Sequence, residues 1–190
     1  MFEWIQSSVF VRPDFDFEKV DKKETTKDGE KSGLSKLKVQ CRPDSGAAIL
    51  AIKSILNVDI PISPLQPTES SADKPAVFCT GPNEWLVVLQ GPDAGTLRNN
   101  LIDDLSLTSV ITDISDSSVA IEFKGEDAVE ILSEGCGVAL RNENLKEGCY
   151  FLTNLFHLPV IIQCIEESAG QRFRCYVDRS LCNYFSGWLK

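Results

Sequence analysis

Short stretches of alternating apolar and polar residues run along the chain, and the most informative pair flanks a polar segment near its middle. Val110, Thr112 and Ile114 share one face of an extended backbone, and the same alternation resumes over 119–123. The residues between the two runs, 115–118, are all Ser or Asp, whose short side chains bond nearby backbone groups in turns. The pattern predicts two strands and a turn that forms the joint between two halves of the protein.

Before the joint, the pattern predicts the order strand, helix, strand, strand, helix, strand, which is the ferredoxin-like arrangement. In the first strand Leu37 and Val39 alternate with Lys36 and Lys38, so we expect one apolar face and one face open to solvent. The predicted spans are 35–41, 44–57, 77–80, 84–89, 93–105 and 108–114.

After the joint, the same order recurs in part: a strand, a helix, three strands and a final helix. The predicted spans are 119–123, 125–133, 150–155, 158–165, 172–177 and 178–188. We therefore predict an α+β protein made of two ferredoxin-like-related halves, at roughly 35–116 and 117–190.

The segment 1–34 differs from the rest of the chain. Residues 18–31 mix charges of both signs, and Asp28-Gly29 and Ser32-Gly33 break any helix, which predicts a linker in front of the domain at 35–190. The residues before this linker form an aromatic arm, and we expect it to dock on another protein. The alternative is that the arm folds back onto its own domain. The partner-binding residues predicted here are Phe2, Trp4, Ile5, Val9 and Phe10.

Composition narrows the class of protein. A net charge of -9 argues against binding to nucleic acid or to an anionic membrane, because both need a positive surface. The chain has no run of about 18 apolar residues that would span a bilayer. The number of cysteines, 7, is odd, and no two of them have Cys-x-x-Cys spacing. This favours reduced, buried thiols in a cytoplasmic protein over a disulfide or zinc framework.

Catalytic motifs are missing from the sequence. It contains neither a dinucleotide-binding glycine fingerprint nor a phosphate-binding loop, a zinc-binding helix motif or a nucleophile elbow. We expect structural roles for the single histidine, His157, for the pair Asp113 and Asp116, and for Cys136 and Cys149, whose neighbours include no basic residue. Trp85 lies in an apolar strand after a tight turn, which predicts a core residue. We therefore assign no catalytic, cofactor-binding or metal-binding residue to this chain.

A set of short motifs, in order from about residue 36 to 189, resembles the gamma subunit of heterotetrameric sarcosine oxidase. Each motif is weak alone, and their order and spacing carry the resemblance. They are Ala47-Ala48 with Ile60-Pro61, Thr80-Gly81-Pro82-Asn83-Glu84-Trp85-Leu86, Thr112-Asp113-Ile114-Ser115-Asp116, Gly125, Leu132 with Gly135-Cys136, Leu140, Gly148-Cys149 with Thr153, and Asp178-Arg179-Ser180 followed by Trp188-Leu189.

This resemblance implies a fold similar to the folate-binding domain of glycine-cleavage T-proteins. It also implies a non-catalytic structural role beside alpha, beta and delta subunits, in an oxidoreductase complex that demethylates sarcosine to glycine. The products are hydrogen peroxide and formaldehyde or methylene-tetrahydrofolate. The implied FAD, FMN, NAD, zinc and tetrahydrofolate belong to the partner subunits, with no cofactor on this chain. The alternative is a stand-alone folate-binding protein related to T-protein.

Overall fold

The structure is a computed structural model that describes residues 17–19, 24–25, 31–32, 34–42, 46–63, 75–90, 94–105, 109–124, 128–140, 146–166 and 172–188. In chain order its elements are β1 (Phe17–Lys19), β2 (Glu24–Thr25), β3 (Lys31–Ser32), β4 (Ser35–Cys41), α1 (Gly46–Leu56), β5 (Ala76–Gly81), β6 (Glu84–Leu89), α2 (Ala94–Leu105), β7 (Ser109–Asp113), β8 (Ser118–Lys124), α3 (Ala128–Gly135), β9 (Tyr150–Leu155), β10 (Leu158–Glu166), β11 (Arg172–Asp178), a 3-10 turn (Arg179–Leu181) and α4 (Cys182–Trp188).

The first half forms a four-stranded antiparallel sheet in the order β5-β6-β4-β7. Its strands and helices follow each other as the ferredoxin-like pattern requires. In α1, Ala48, Ile52 and Leu56 recur every four residues and are buried, so the helix presents a single apolar stripe to the sheet. Asn83 turns the chain between β5 and β6 with a positive φ of 55°, which asparagine tolerates better than most residues.

The second half forms a five-stranded sheet in the order β1-β8-β11-β10-β9. Its last three strands are joined as consecutive antiparallel hairpins, and β11 lies between β8 and β10. The start of the second half, a strand followed by a helix, repeats the first half, whereas its last three strands have no helix between them and its second helix comes after the last strand. The predicted α+β fold of two related halves is thus confirmed, with the second half a variant of the first.

The two sheets pack face to face, and the helices cover their outer faces. One apolar cluster combines α1 and α2 with the four-stranded sheet, and another combines α3 and α4 with the five-stranded sheet. A third cluster joins the two sheets and includes Phe78, Leu86, Tyr150 and Tyr176. The order of layers is therefore helices, sheet, sheet, helices, and the central part of each sheet is covered on both faces.

The predicted solvent face of β4 is present at Lys38, which is half-buried, and at Gln40, which is exposed, but the layer order overturns it at Lys36. Lys36 is fully buried, with 0% of its surface exposed, because the five-stranded sheet covers that side of the strand. On β7 the predicted alternation is present, but Val110 is 62% exposed and Ile111, on the opposite face, packs against the core. A sequence pattern shows that a strand has two different faces, and the partner layer decides which face is covered.

The predicted linker is structured in part. Within 18–31, Glu18 and Lys19 belong to β1, which pairs antiparallel with β8, and β2 pairs with β3. β1 therefore extends the five-stranded sheet with residues from outside the predicted domain. The arm residues Phe2, Trp4, Ile5, Val9 and Phe10 lie outside the described residues. Of the helices that the structure describes, none has the length and apolar character needed to cross a bilayer.

Trp85 is a core residue, as predicted. Its side chain is 2% exposed on β6, and its indole Nε1 donates a hydrogen bond of 2.7 Å to the carbonyl oxygen of Pro61. The ring thus fills the space between the sheet and the loop that follows α1, and its one polar group has a partner.

We expect Trp85→Ala to lower the free energy of unfolding by about 3–5 kcal/mol, because it leaves a cavity in the core under α1 and α2. Urea denaturation measures the change. Leu50→Ala is the control, since Leu50 is 68% exposed and its removal leaves no cavity. Equal stability of the Trp85 variant and the wild-type chain would contradict the core role.

Candidate functional site

The predicted joint between the halves is a tight turn held from both sides. The amide of Ser117 donates to the carbonyl of Ile114 at 3.0 Å, which closes the turn. From the four-stranded sheet, the buried Lys36 Nζ donates to the carbonyls of Ser115 at 3.2 Å and Ser118 at 2.8 Å. From the other sheet, the backbone amide of Arg179 donates to the Ser117 carbonyl at 2.8 Å. The turn at the joint therefore accepts hydrogen bonds from one residue of each half.

The same Asp-x-Ser turn ends the last strand of each half. Asp113 Oδ1 accepts hydrogen bonds from the amide of Ser115 at 3.0 Å and from its hydroxyl at 2.6 Å. Asp178 Oδ1 accepts the equivalent bonds from Ser180 at 2.8 and 2.6 Å. This repetition supports the relation between the halves.

These contacts give Asp113 a structural role. Burial works to raise its pKa, but the hydrogen bonds from Ser115 and the charge of Arg98, 3.3 Å away, together hold the pKa below its ordinary value. A carboxylate that is a weaker base than usual and already occupied by its own turn is unsuited to general acid–base catalysis. The geometry thus favours the structural reading of the pair Asp113 and Asp116.

A row of polar side chains crosses the inner face of the five-stranded sheet. Glu122 on β8, Arg174 on β11, Gln163 on β10 and Tyr150 on β9 are consecutive partners in the strand register. All four are buried between the two sheets. In many proteins a sheet face with such polar side chains is exposed to solvent instead. Sequence analysis missed this row, although Glu122 stands out as the only charge inside the apolar run 119–123.

At one end of the row, Glu122 is 1% exposed and binds two arginines. Its Oε1 accepts from Arg174 Nε at 3.0 Å and Nη2 at 2.6 Å, and its Oε2 accepts from Arg172 Nε at 2.7 Å. Arg174 also donates to Gln90, at the end of β6, over 3.0 Å. The network therefore ties the five-stranded sheet to the four-stranded one.

The arginines keep Glu122 ionised. Burial works to raise the pKa of this carboxyl, but hydrogen bonds and charge from Arg174 and Arg172 outweigh it, so the pKa lies below the ordinary value. Both carboxylate oxygens are occupied by guanidinium groups. The group is thus a structural anion and has no lone pair directed at an open site.

At the other end of the row, Tyr150 joins the sheets. Its hydroxyl accepts a 2.8 Å hydrogen bond from the amide of Cys79 on β5 and donates to the carbonyl of Ser63 at 3.3 Å. Burial raises its pKa to about 12, so the phenol stays protonated at neutral pH and keeps its donor. Between the ends, the Tyr176 hydroxyl donates to Gln163 Oε1 at 2.8 Å.

The other candidate residues lie apart from this row. His157 is exposed in the two-residue turn between β9 and β10. Cys136 is half-buried, and its sulfur accepts from the amide of Val138 at 3.4 Å, whereas Cys149 is buried. The cysteines of the described residues are free thiols and are buried or half-buried, as the sequence predicted. No three His, Cys, Asp or Glu side chains in the described part of the chain are grouped to hold a metal ion.

One depression opens on the inner face of the β9–β10 hairpin. It measures about 410 Å³ and is lined by Leu152, Thr153, Asn154, Pro159, Val160, Ile161 and Tyr176. Its lining contains no ionisable group apart from the Tyr176 phenol, which is already bonded to Gln163. The depression offers an apolar contact surface and no acid, base or nucleophile.

Solved structures share this fold, among them the following two. A chain of the heterotetrameric sarcosine oxidase from Corynebacterium sp. U-96, in complex with pyrrole 2-carboxylate, superposes with a TM-score of 0.71 at 21% identity, over 82% of this chain and 77% of that one. The glycine cleavage system aminomethyltransferase T from Bartonella henselae gives a TM-score of 0.58 at 11% identity. The match covers 82% of this chain but only 43% of that longer chain.

No protein-family model and no curated protein matches the sequence. At these identities, the two structures show the fold alone. They confirm that the two-sheet α+β arrangement is of the T-protein-like kind that the motifs implied.

We expect Glu122→Gln to destabilise the protein by about 3–5 kcal/mol at pH 7, because it leaves Arg174 buried without its counter-charge. The native pKa of Glu122 lies below the unfolded value of about 4.3. The stabilisation that ionised Glu122 provides is therefore fully present above the unfolded pKa and is lost as the pH falls through the native pKa. The difference in free energy of unfolding between the variant and the wild-type chain should narrow below about pH 4.

Urea titrations at several pH values measure this difference. Glu84→Gln is the control, because Glu84 forms a more exposed ion pair with Lys38 and its loss should cost less than about 1 kcal/mol. If Glu122→Gln lowers the free energy of unfolding by the same amount from neutral to acidic pH, the ionic role of Glu122 is wrong.

Proposed function

We propose that this chain is the gamma subunit, and thus a non-catalytic structural subunit, of a heterotetrameric sarcosine oxidase. The observation that carries the proposal is the extent of the structural match. It includes 77% of a chain of that heterotetramer and 82% of this chain, whereas in the T protein it includes less than half of the chain. A fold that is similar over most of both chains fits a separate subunit better than a fragment of a larger enzyme.

The interior of the domain supports the same role. The polar side chains between the sheets are engaged with one another, and the Glu122 carboxylate is neutralised by arginines. Such an interior stabilises a shape and offers no reactive group to a substrate. The oxidation of sarcosine to glycine, with FAD, FMN, NAD and zinc, would then take place on the alpha, beta and delta subunits. We propose the cytoplasm as the location, because free thiols persist in a reducing compartment.

The second candidate is a stand-alone folate-binding protein related to T-protein. The observation that favours it is the likeness to aminomethyltransferase T. The depression on the β9–β10 hairpin is large enough for part of such a ligand, but its lining is mostly apolar. Calorimetric titration of the purified chain with tetrahydrofolate separates the two candidates, since micromolar binding would favour the second one.

The purified chain should be colourless and inactive towards sarcosine. When it is co-expressed with the alpha, beta and delta subunits, we expect one complex that carries a flavin absorption band and this chain in equal amount. Size-exclusion chromatography with absorbance detection and subunit quantification tests this. The proposal fails if the complex forms and oxidises sarcosine at full rate without this chain, or if this chain alone retains flavin through purification.

The aromatic arm, with Phe2, Trp4, Ile5, Val9 and Phe10, is proposed to bind a partner subunit. Large apolar side chains anchor interfaces, and each could contribute about 1.5–3 kcal/mol before ordering costs. A chain that begins at Phe15 retains β1 and should keep the wild-type melting temperature while binding the other subunits more weakly. A chain that begins at Gly33 also loses β1 and should melt at a lower temperature. If the chain from Phe15 assembles with full affinity, the arm has no docking role.

A further inference from the structure

Two cysteines lie opposite each other at the open end of the β9–β10 hairpin. The strand register pairs Tyr150 with Gln163, so the next pair along the two strands is Cys149 with Cys164. The backbone agrees with this register, because the amide of Cys164 donates to the carbonyl of Cys149 at 2.8 Å and the amide of Gly148 donates to the carbonyl of Cys164 at 2.9 Å. The two cysteines are therefore neighbours across the strands, although the whole hairpin separates them in sequence.

A glycine turn holds Cys149 in this position. The amide of Cys149 donates to the carbonyl of Lys146 at 3.0 Å, and Gly148 lies in the turn between them with a positive φ of 85°. A glycine with positive φ that adds one extra residue opposite a single partner is the G1 type of β-bulge. Gly148 is therefore the extra residue opposite Cys164, and Cys149 keeps the alternation of β9.

Both thiols face the helix side of the five-stranded sheet. Tyr150 and Gln163, one position along each strand, point between the two sheets, and neighbouring side chains on a strand point to opposite faces. Cys164 accordingly belongs to the apolar cluster under α3 and α4, with 0% of its surface exposed, and Cys149 is buried with 7% exposed. The two side chains thus share one face and one register position.

This placement meets the geometric requirement for a disulfide. Directly opposed residues of antiparallel strands have Cα atoms about 4.5–5.5 Å apart, and disulfides join residues whose Cα atoms are about 4.4–6.8 Å apart. Both cysteines are reduced in the structure. Apolar packing accounts for one buried cysteine, but two cysteines at one register position form a pair that a single oxidation can join.

We propose that hydrogen peroxide oxidises Cys149 and Cys164 to a reversible disulfide; this inference does not depend on the proposed function. Cys149 reacts first, because it alone of the pair has surface exposed. Its thiolate attacks one peroxide oxygen, which breaks the O–O bond, releases hydroxide and leaves a sulfenic acid. The Cys164 thiol then attacks the Cys149 sulfur, so that an S–S bond forms and water leaves. Two thiols and one peroxide thus give one disulfide and two water molecules, since the hydroxide takes up the thiol proton.

The disulfide ties the turn before β9 to β10. It closes a ring over 149–164 that contains both strands of the hairpin, and ring closure lowers the conformational entropy of the unfolded chain. Small thiols reduce such a bond again, and in a reducing compartment it is transient and senses the redox state. The pair is thus a redox-sensitive device that changes the stability of the hairpin.

Peptide mapping of the purified full chain tests the bond. Trypsin cleaves after Lys146 and Arg172, and the peptide 147–172 contains Cys149, Cys164 and no other cysteine. After treatment with hydrogen peroxide this peptide should lose about 2 Da and react with no alkylating reagent, and dithiothreitol should reverse both changes. The melting temperature of the oxidised chain should be about 5 °C or more above that of the reduced chain.

Two serine variants test the order of attack. In Cys164→Ser the sulfenic acid on Cys149 has no second thiol to meet, so dimedone should label Cys149 at least about tenfold more than in the wild-type chain. In Cys149→Ser, Cys164 should stay unoxidised. Cys136→Ser is the matched control, since Cys136 is half-buried in the same half of the protein and its loss should leave the bond unchanged.

The inference is overturned if the wild-type peptide 147–172 keeps its mass or gains oxygen irreversibly as a sulfinic acid. A disulfide that joins either cysteine to Cys136 or to another copy of the chain also overturns it, as do equal melting temperatures in the two redox states. The measurements on the wild-type chain decide the matter even if a variant misfolds. The proposed function is tested separately by co-expression, so either can fail without the other.

Discussion

The relative arrangement of the two halves depends on hydrogen bonds that cross from one sheet to the other, at Arg174 and at Tyr150. They lie among apolar contacts between the sheets, which are non-directional. Apolar packing alone allows the sheets to slide or rotate with little change in buried area. Arg174 is held on its own sheet by the buried Glu122 carboxylate and donates to Gln90 on the other half. The amide of Cys79 donates to the Tyr150 hydroxyl, so these directional bonds restrict the relative position of the sheets. The net stability from such a buried pair is small, since desolvation offsets the attraction, and its main effect here is to define the geometry.

The polar row and the joint act at different places on the same interface. Glu122, Gln163 and Tyr150 lie in one register row across the sheet, whereas Lys36 and Arg179 hold the turn where the chain passes from one sheet to the other. Lys36 donates to backbone carbonyls instead of a carboxylate, so it holds the backbone of the turn directly. The halves are thus connected covalently at a fixed turn and non-covalently across their whole width.

The sequence predicted most elements well because each strand or helix contributes one apolar face to the contact between a sheet and its helices. The alternation of Val119, Ile121 and Phe123 predicts β8 without knowledge of its neighbours, and the spacing of Ala48, Ile52 and Leu56 predicts α1. The second buried face was harder to foresee. Lys36 and Glu122 have the polarity of surface residues, and their burial depends on a sheet formed by residues distant in the chain. β1 was also missed, because Phe17–Lys19 lies in a charged segment and becomes a strand only through pairing with β8.

The polar side chains between the two sheets are bonded to one another, so the capacity of this domain for further interaction lies mainly at its surface. In the described residues, Glu122 and Tyr150, whose pKa values are shifted from their ordinary ones, are engaged in contacts within the space between the sheets. Perturbed groups at catalytic sites face a cleft instead, where a substrate can reach them. The β9–β10 hairpin has a different character, with no Asp, Glu, Lys or Arg between Tyr150 and Ile165 and a turn at Phe156 and His157 that has positive φ values. In the described residues, these two shifted polar groups are thus enclosed between the sheets, and the surface hairpin carries few groups that ionise.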